Sequence, residues 1–202
     1  MVKPERPSAD PRDVPDFLAF LDELQSESDR ATATLAATYL DAQLRRLLAE
    51  FLIDDRAAIE ELLDRPYAPL GTFASRISAA YFLGLIGPKH RRDLLRVKSI
   101  RNAFAHGRHG VQFSTPGIQE ECVALSEDRL LSASDLEQLL RKFSAGDEGT
   151  ARYFFVLAAL ELALGFEWHE MLAKHSRRTV ARDLTFLVFD LNAFPADTQP
   201  TT

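Results

Sequence analysis

RATATLAATYLDAQLRRLLAEFL, residues Arg30 to Leu52, decides the fold class of this chain. Leu35, Tyr39, Leu40, Leu44, Leu47, Leu48 and Phe51 recur there at three- and four-residue intervals. At roughly 100° per residue, that spacing gathers them on one side of a helix. The segment Ser26-Glu27-Ser28-Asp29-Arg30 breaks the pattern before it. Ser28 or Asp29 can cap the helix by accepting from its free N–H groups.

The same periodicity extends in both directions. Upstream, Phe17, Leu18, Phe20, Leu21 and Leu24 form the stripe of a helix over Val14 to Gln25. Downstream come a short helix, Asp55 to Leu63, and the break Arg65-Pro66-Tyr67-Ala68-Pro69. Phe73 to Ile86 is amphipathic, and its small residues Ala74, Ser75, Ser78, Ala79, Ala80 and Gly84 allow close helix contact. Gly87-Pro88 turns the chain into a helix over Lys89 to His106, with Leu94, Val97, Ile100 and Phe104 facing inward. Gly107 suits the left-handed residue that often closes a helix.

Residues 107–131 read differently. Val111-Gln112-Phe113 and Cys122-Val123-Ala124-Leu125 leave room for one short two-stranded hairpin within a loop. Ser134 can cap a helix from Asp135 to Phe143, and Ser144 to Gly149 turns. A long helix over Glu148 to Leu172 is apolar almost all round between Tyr153 and Leu164, as a core helix or a subunit interface would be. Leu184 to Leu191 fits helix or strand equally. The expected fold is all-α, a bundle of about six to seven helices, with the hairpin as its one admissible β element. Residues 1–13 read as a disordered leader, 14–192 as a single helical domain and 193–202 as a disordered tail.

Composition sets outer limits. At 202 residues the chain suits one domain. A fold of that size buries roughly 70% of the unfolded chain's surface and needs no metal or disulfide staple. The single cysteine, Cys122, excludes an intrachain disulfide and a cysteine-based zinc site. No signal region or membrane-spanning run is evident, and the expectation is a soluble, cytoplasmic protein. The net charge of −6 argues against coating DNA through bulk charge. A local basic cluster exists nonetheless: Lys89, Arg91, Arg92, Arg96, Lys98 and Arg101, with Asp93 the only acid among them. Lys89, Arg92 and Arg96 share a helix face, while Arg91, Lys98 and Arg101 point elsewhere. The cluster is either a solvated surface or a contact for an anionic partner.

Familiar chemical motifs are missing. Gly107-Arg108-His109-Gly110 lacks the setting of a dinucleotide loop, and no phosphate-cradling loop is present. His169 and His175 are six apart, where a zincin helix needs four. No cofactor and no metal is expected. The turn at Gly87-Pro88 resembles a helix-turn-helix only superficially, and an ordinary helical hairpin explains it equally; direct DNA binding is not expected.

Ile100-Arg101-Asn102-Ala103-Phe104-Ala105-His106-Gly107 carries the one chemical constellation. Asn102 and His106 share a face, and Arg101 is rotated roughly 140° from His106. Arg101 could grip phosphate with a bidentate fork. His106 carries an imidazole that could move a proton from a ribose 2′-hydroxyl or to a leaving oxygen, with Asn102 orienting either group. Alternatively Arg101 pairs with Glu27 or Asp29, and His106 bonds to a nearby backbone carbonyl. Spacing alone leaves both readings open.

The string RNAFAH resembles the Arg-x(4–6)-His signature of the HEPN superfamily of helical bundles. Glu27 to Leu48 (ESDRATATLAATYLDAQLRRLL), Pro69 to Ile86 (PLGTFASRISAAYFLGLI) and IRNAFAHG together resemble the mannitol operon repressor family, MtlR. The three motifs cover roughly residues 15–115. That resemblance implies a bacterial transcriptional regulator, a repressor of sugar-alcohol uptake genes that acts through a protein partner. Arg30, Arg76, Arg101, Asn102 and His106 would form a shared polar binding surface, with no catalytic residue. The HEPN likeness implies the alternative, a metal-independent ribonuclease acting on RNA with Arg101, Asn102 and His106 as its catalytic residues. Such enzymes commonly pair two motifs across a homodimer.

Overall fold

The computed structural model describes residues 20, 23–24, 26–107, 110–125 and 150–176. They form six helices: α1 (Asp29–Phe51), α2 (Arg56–Leu63), α3 (Phe73–Phe82), α4 (Pro88–His106), α5 (Pro116–Leu125) and α6 (Ala151–Ser176). Among the described residues there is no strand, and the fold is an all-α bundle.

Local chemistry sets most helix starts. The Ser28 hydroxyl accepts from the Ala31 N–H at 3.3 Å, so serine rather than Asp29 caps α1. Asp55 accepts from Ala57 and Ala58 at the start of α2. Thr72 and Ser75 bond reciprocally in a capping box at α3. α4 begins at Pro88, whose missing N–H costs nothing in a first turn. α3 ends at Phe82, short of the expected Ile86, and Gly84 follows with φ +73°.

The expected hairpin does not form. Cys122-Val123-Ala124-Leu125 is the second half of α5. Ile118, Cys122 and Leu125 are buried, and their four- and three-residue spacing makes one helical face. α5 packs that face on α4 and α6, and this packing overrides local β preference. Phe113 is no strand residue either. It plugs the core from a turn, with ring centroids 4.9 Å from Phe104 and 5.1 Å from Phe155.

Gly107 also departs from expectation. Its φ of −65° and ψ of 133° are extended, not left-handed. Glycine is required there by space. A Cβ would fall 2.3 Å from Val111 Cγ2 and 2.8 Å from the Ala103 carbonyl oxygen.

α1 and α6 form the axis of the bundle, and α4 packs against α1, α3, α5 and α6. Ala33, Ala36 and Ala37 on α1, with Ala159 and Ala163 on α6, are fully or almost fully buried. Leu40, Leu44, Leu47, Leu94, Val97, Phe155 and Leu160 fill the interior around them. Phe155 to Ala163 of α6 thus lie in the core of their own chain, with Tyr153, Phe154 and Leu164 half-buried at its edge. Arg46 ties α1 to the buried Glu170 of α6 at 2.9 Å.

Phe20 and Leu24 are helical and buried, as expected of the helix over 14–25. The rest of that helix, the helix at 135–143, the run 184–191, the leader and the tail lie outside the described residues. Among the described residues no helix is long and apolar enough to cross a membrane.

Candidate functional site

α4 carries the constellation in its last turns. Ile100 and Phe104 are buried beneath it, fixing which way the polar residues turn. Arg101 and Asn102 are half-buried and His106 is exposed. Among the described residues, Arg101 and His106 make neither an ion pair nor a hydrogen bond.

The carboxylates expected to neutralise Arg101 are engaged elsewhere or unbonded to it. Asp29 accepts from Arg152 Nη1 at 2.9 Å and from the Phe113 N–H at 3.0 Å. Glu27 contributes its carbonyl, which accepts from Arg152 Nη2 at 2.6 Å. Arg152 also reaches the Leu24 carbonyl and the Thr32 hydroxyl, both at 3.1 Å. This arginine, which sequence reasoning missed, holds the entry to α1 against the start of α6. Its only sequence signal was a cation beginning a long apolar helix.

Two other candidate arginines serve different ends. Arg30 donates through Nη2 to the Gly107 carbonyl at 2.8 Å, so it sits beside the constellation. Arg76 is almost entirely buried. It donates to the Leu70 carbonyl at 2.9 Å, the Leu63 carbonyl at 2.7 Å and Asp41 at 2.9 Å. Its guanidinium binds α1 and the α2–α3 connection rather than the 101–107 segment.

α4 divides its cations into two sets. Lys89 pairs with the buried Asp93 at 2.7 Å, and Arg96 reaches Asp93 at 3.7 Å and Glu121 at 3.4 Å. The Lys89/Arg92/Arg96 face is therefore largely neutralised. Arg91 lies over the Tyr81 ring, 5.1 Å from its centroid. Arg91, Arg92, Lys98 and Arg101 form no ion pair among the described residues.

A second polar pair lies in the α4–α6 seam. The His90 and His169 rings meet edge to face at 5.6 Å, enclosed by Ile86, Leu162, Gly165 and Phe166. His169 Nδ1 lies 2.6 Å from the Gly165 carbonyl, so that nitrogen carries the proton and donates. Burial, with the neighbouring His169 and Lys89, holds the His90 pKa below its ordinary value despite Asp93 and Glu161. Among the described residues no group of three or more His, Cys, Asp or Glu could hold a metal ion. Burial pushes the Cys122 thiol up to about 12, with Glu121 and Asp29 adding to it, so it stays protonated and unreactive.

No protein-family model and no curated protein matches this chain. Among solved structures, it is similar to a chain of the MtlR–HPr complex from Escherichia coli. The two are 22% identical, with a TM-score of 0.55 over 75% of this chain and 98% of that one. At that identity the likeness shows a shared fold, and the fold is that of an MtlR-like helical bundle.

Proposed function

We propose that this protein is an MtlR-like transcriptional regulator, a repressor of sugar-alcohol uptake genes, acting in the cytoplasm through a protein partner. One observation carries the reading: the fold matches almost the whole length of a chain solved in complex with another protein, HPr. The motifs at 27–48, 69–86 and 100–107 point the same way. The binding surface is Arg30, Arg101, Asn102 and His106 at the end of α4. Arg76 holds α1 to the α2–α3 connection and lies outside that surface.

The hairpin geometry speaks against direct base reading. A recognition helix needs free side chains in its first turns. Here Lys89, in the first turn, is tied to Asp93. Titration calorimetry with purified HPr, beside a promoter-DNA shift assay with this protein alone, tests the proposal. HPr binding without promoter binding is expected. Promoter binding by the protein alone overturns the partner mechanism.

A ribonuclease reading stands second, favoured by the exposure of His106 and by an Arg101 that pairs with no carboxylate among the described residues. Arg101 would hold phosphate and His106 would transfer the proton, with Asn102 orienting them. The motif pair would then assemble across a homodimer. RNA cleavage that vanishes in a folded His106→Ala protein would establish it; no cleavage by the wild type at high concentration would remove it.

A further inference from the structure

The turn from α3 to α4 presents an aromatic surface. Phe82 is 80% exposed and Leu83 43% exposed. The Phe82 and Tyr81 rings lie 5.5 Å apart, and Arg91 stacks over Tyr81 at 5.1 Å. From Arg91 the same side of α4 continues through Lys98 and Asn102 to His106. Those positions follow Arg91 by 7, 11 and 15 residues, a sector of about 80° along about 22 Å of helix. Arg101 borders that sector.

The charge on this face is unbalanced. The chain carries 30 acids and 24 bases. Even so, Arg91, Lys98 and Arg101 meet no carboxylate among the described residues, while Lys89 and Arg96 on the same helix are paired. Scattered exposed apolar residues are ordinary. An exposed phenylalanine joined through tyrosine to a pre-positioned arginine is the composition of a protein interface centre.

We propose that this face docks an acidic protein surface: carboxylates opposite Arg91, Lys98 and Arg101, and an apolar recess receiving Phe82. The inference rests on the partner-protein reading for the class of occupant, and adds the face and its chemistry. A polynucleotide fits less well. Arg91, Lys98 and Arg101 cover only about 15 Å of helix on a chain of net charge −6, against the extended basic track that a polynucleotide backbone needs.

The test uses the full chain and a synthetic acidic helix with glutamates flanking a leucine seam, followed by fluorescence anisotropy. Phe82→Ser and Lys98→Glu each weaken binding roughly tenfold. Arg92→Glu makes the same charge change about 100° round the helix from Arg91 and alters binding less than about twofold. Circular dichroism checks that each variant folds. Equal losses for Lys98→Glu and Arg92→Glu, no peptide binding, or tighter binding of oligouridine overturn the proposal. HPr bound undiminished by Phe82→Ser and Lys98→Glu overturns this face while the partner reading stands. Failure of HPr to bind wild type, with peptide binding intact, does the reverse.

Discussion

Arg30 donates from Nη2 to the carbonyl of Gly107 at 2.8 Å, joining residues 77 apart in sequence. The bond ties the first turn of α1 to the residue that ends α4. It anchors the 100–107 motif by its backbone and leaves the Arg101 and His106 side chains uncommitted among the described residues.

Gly107 is closely packed, so a single methyl group should disturb this junction. Gly107→Ala drives a Cβ into Val111 Cγ2 and the Ala103 carbonyl. The expected loss is about 1–3 kcal/mol, read as a lower urea midpoint. Gly107→Ala combined with Val111→Ala should recover part of it. An unchanged midpoint in the single variant would show that the junction yields freely.

Arg76 and His106 should separate architecture from surface. Arg76→Met strands the Leu63 and Leu70 carbonyls and Asp41, and should cost about 3 kcal/mol. His106→Ala removes an exposed side chain with no described hydrogen bond and should stay within about 0.5 kcal/mol. Thermal denaturation of both, side by side, gives the comparison. A large loss at His106 would contradict its placement.

His90 makes stability depend on pH in a known direction. Its folded pKa is depressed, chiefly by burial. Above the unfolded value of about 6.5 its contribution is fully present, because both states are neutral. As pH falls below that value the unfolded chain takes up the proton first, so stability declines through the depressed folded pKa. Urea melts from pH 7.5 to pH 5 should show a shallower decline in His90→Leu than in wild type. Parallel curves would mean that burial at this seam does not shift the histidine.

Cys122 should be silent while the protein is folded. It is fully buried and its thiol is pushed up to about 12. Alkylation by iodoacetamide near pH 8, followed by mass spectrometry, should proceed only at the rate of opening and become rapid in urea. Fast modification of the native protein would place α5 in a loosened state.

The helices expected over 30–52, 73–86 and 89–106 were legible, the second apart from its last turn, because each buries one stripe against a polar remainder. Periodicity reports that contrast directly. α5 was not legible. Its buried face is only Ile118, Cys122 and Leu125, and Val123 and Ala124 turn its second half into an unbroken apolar run that spacing does not assign to a helix. The constellation itself was legible as residue types, and its surroundings were not. Asp29 was an equally good partner for Arg101 on paper, yet Arg152, 123 residues distant, holds it.

The sequence by itself determined the helical periodicity of α1 to α4 and α6, a cap at Ser28 or Asp29, the all-α class and the composition of the 100–107 motif. These follow from interactions among near neighbours, which spacing records. Only the tertiary structure decided which charges are cancelled. It gave Asp29 to Arg152 and Asp93 to Lys89, turned Arg76 inward, and left Arg91, Lys98 and Arg101 without carboxylates among the described residues. Ion pairing depends on distances of a few ångströms between distant segments, and one-dimensional spacing does not contain them.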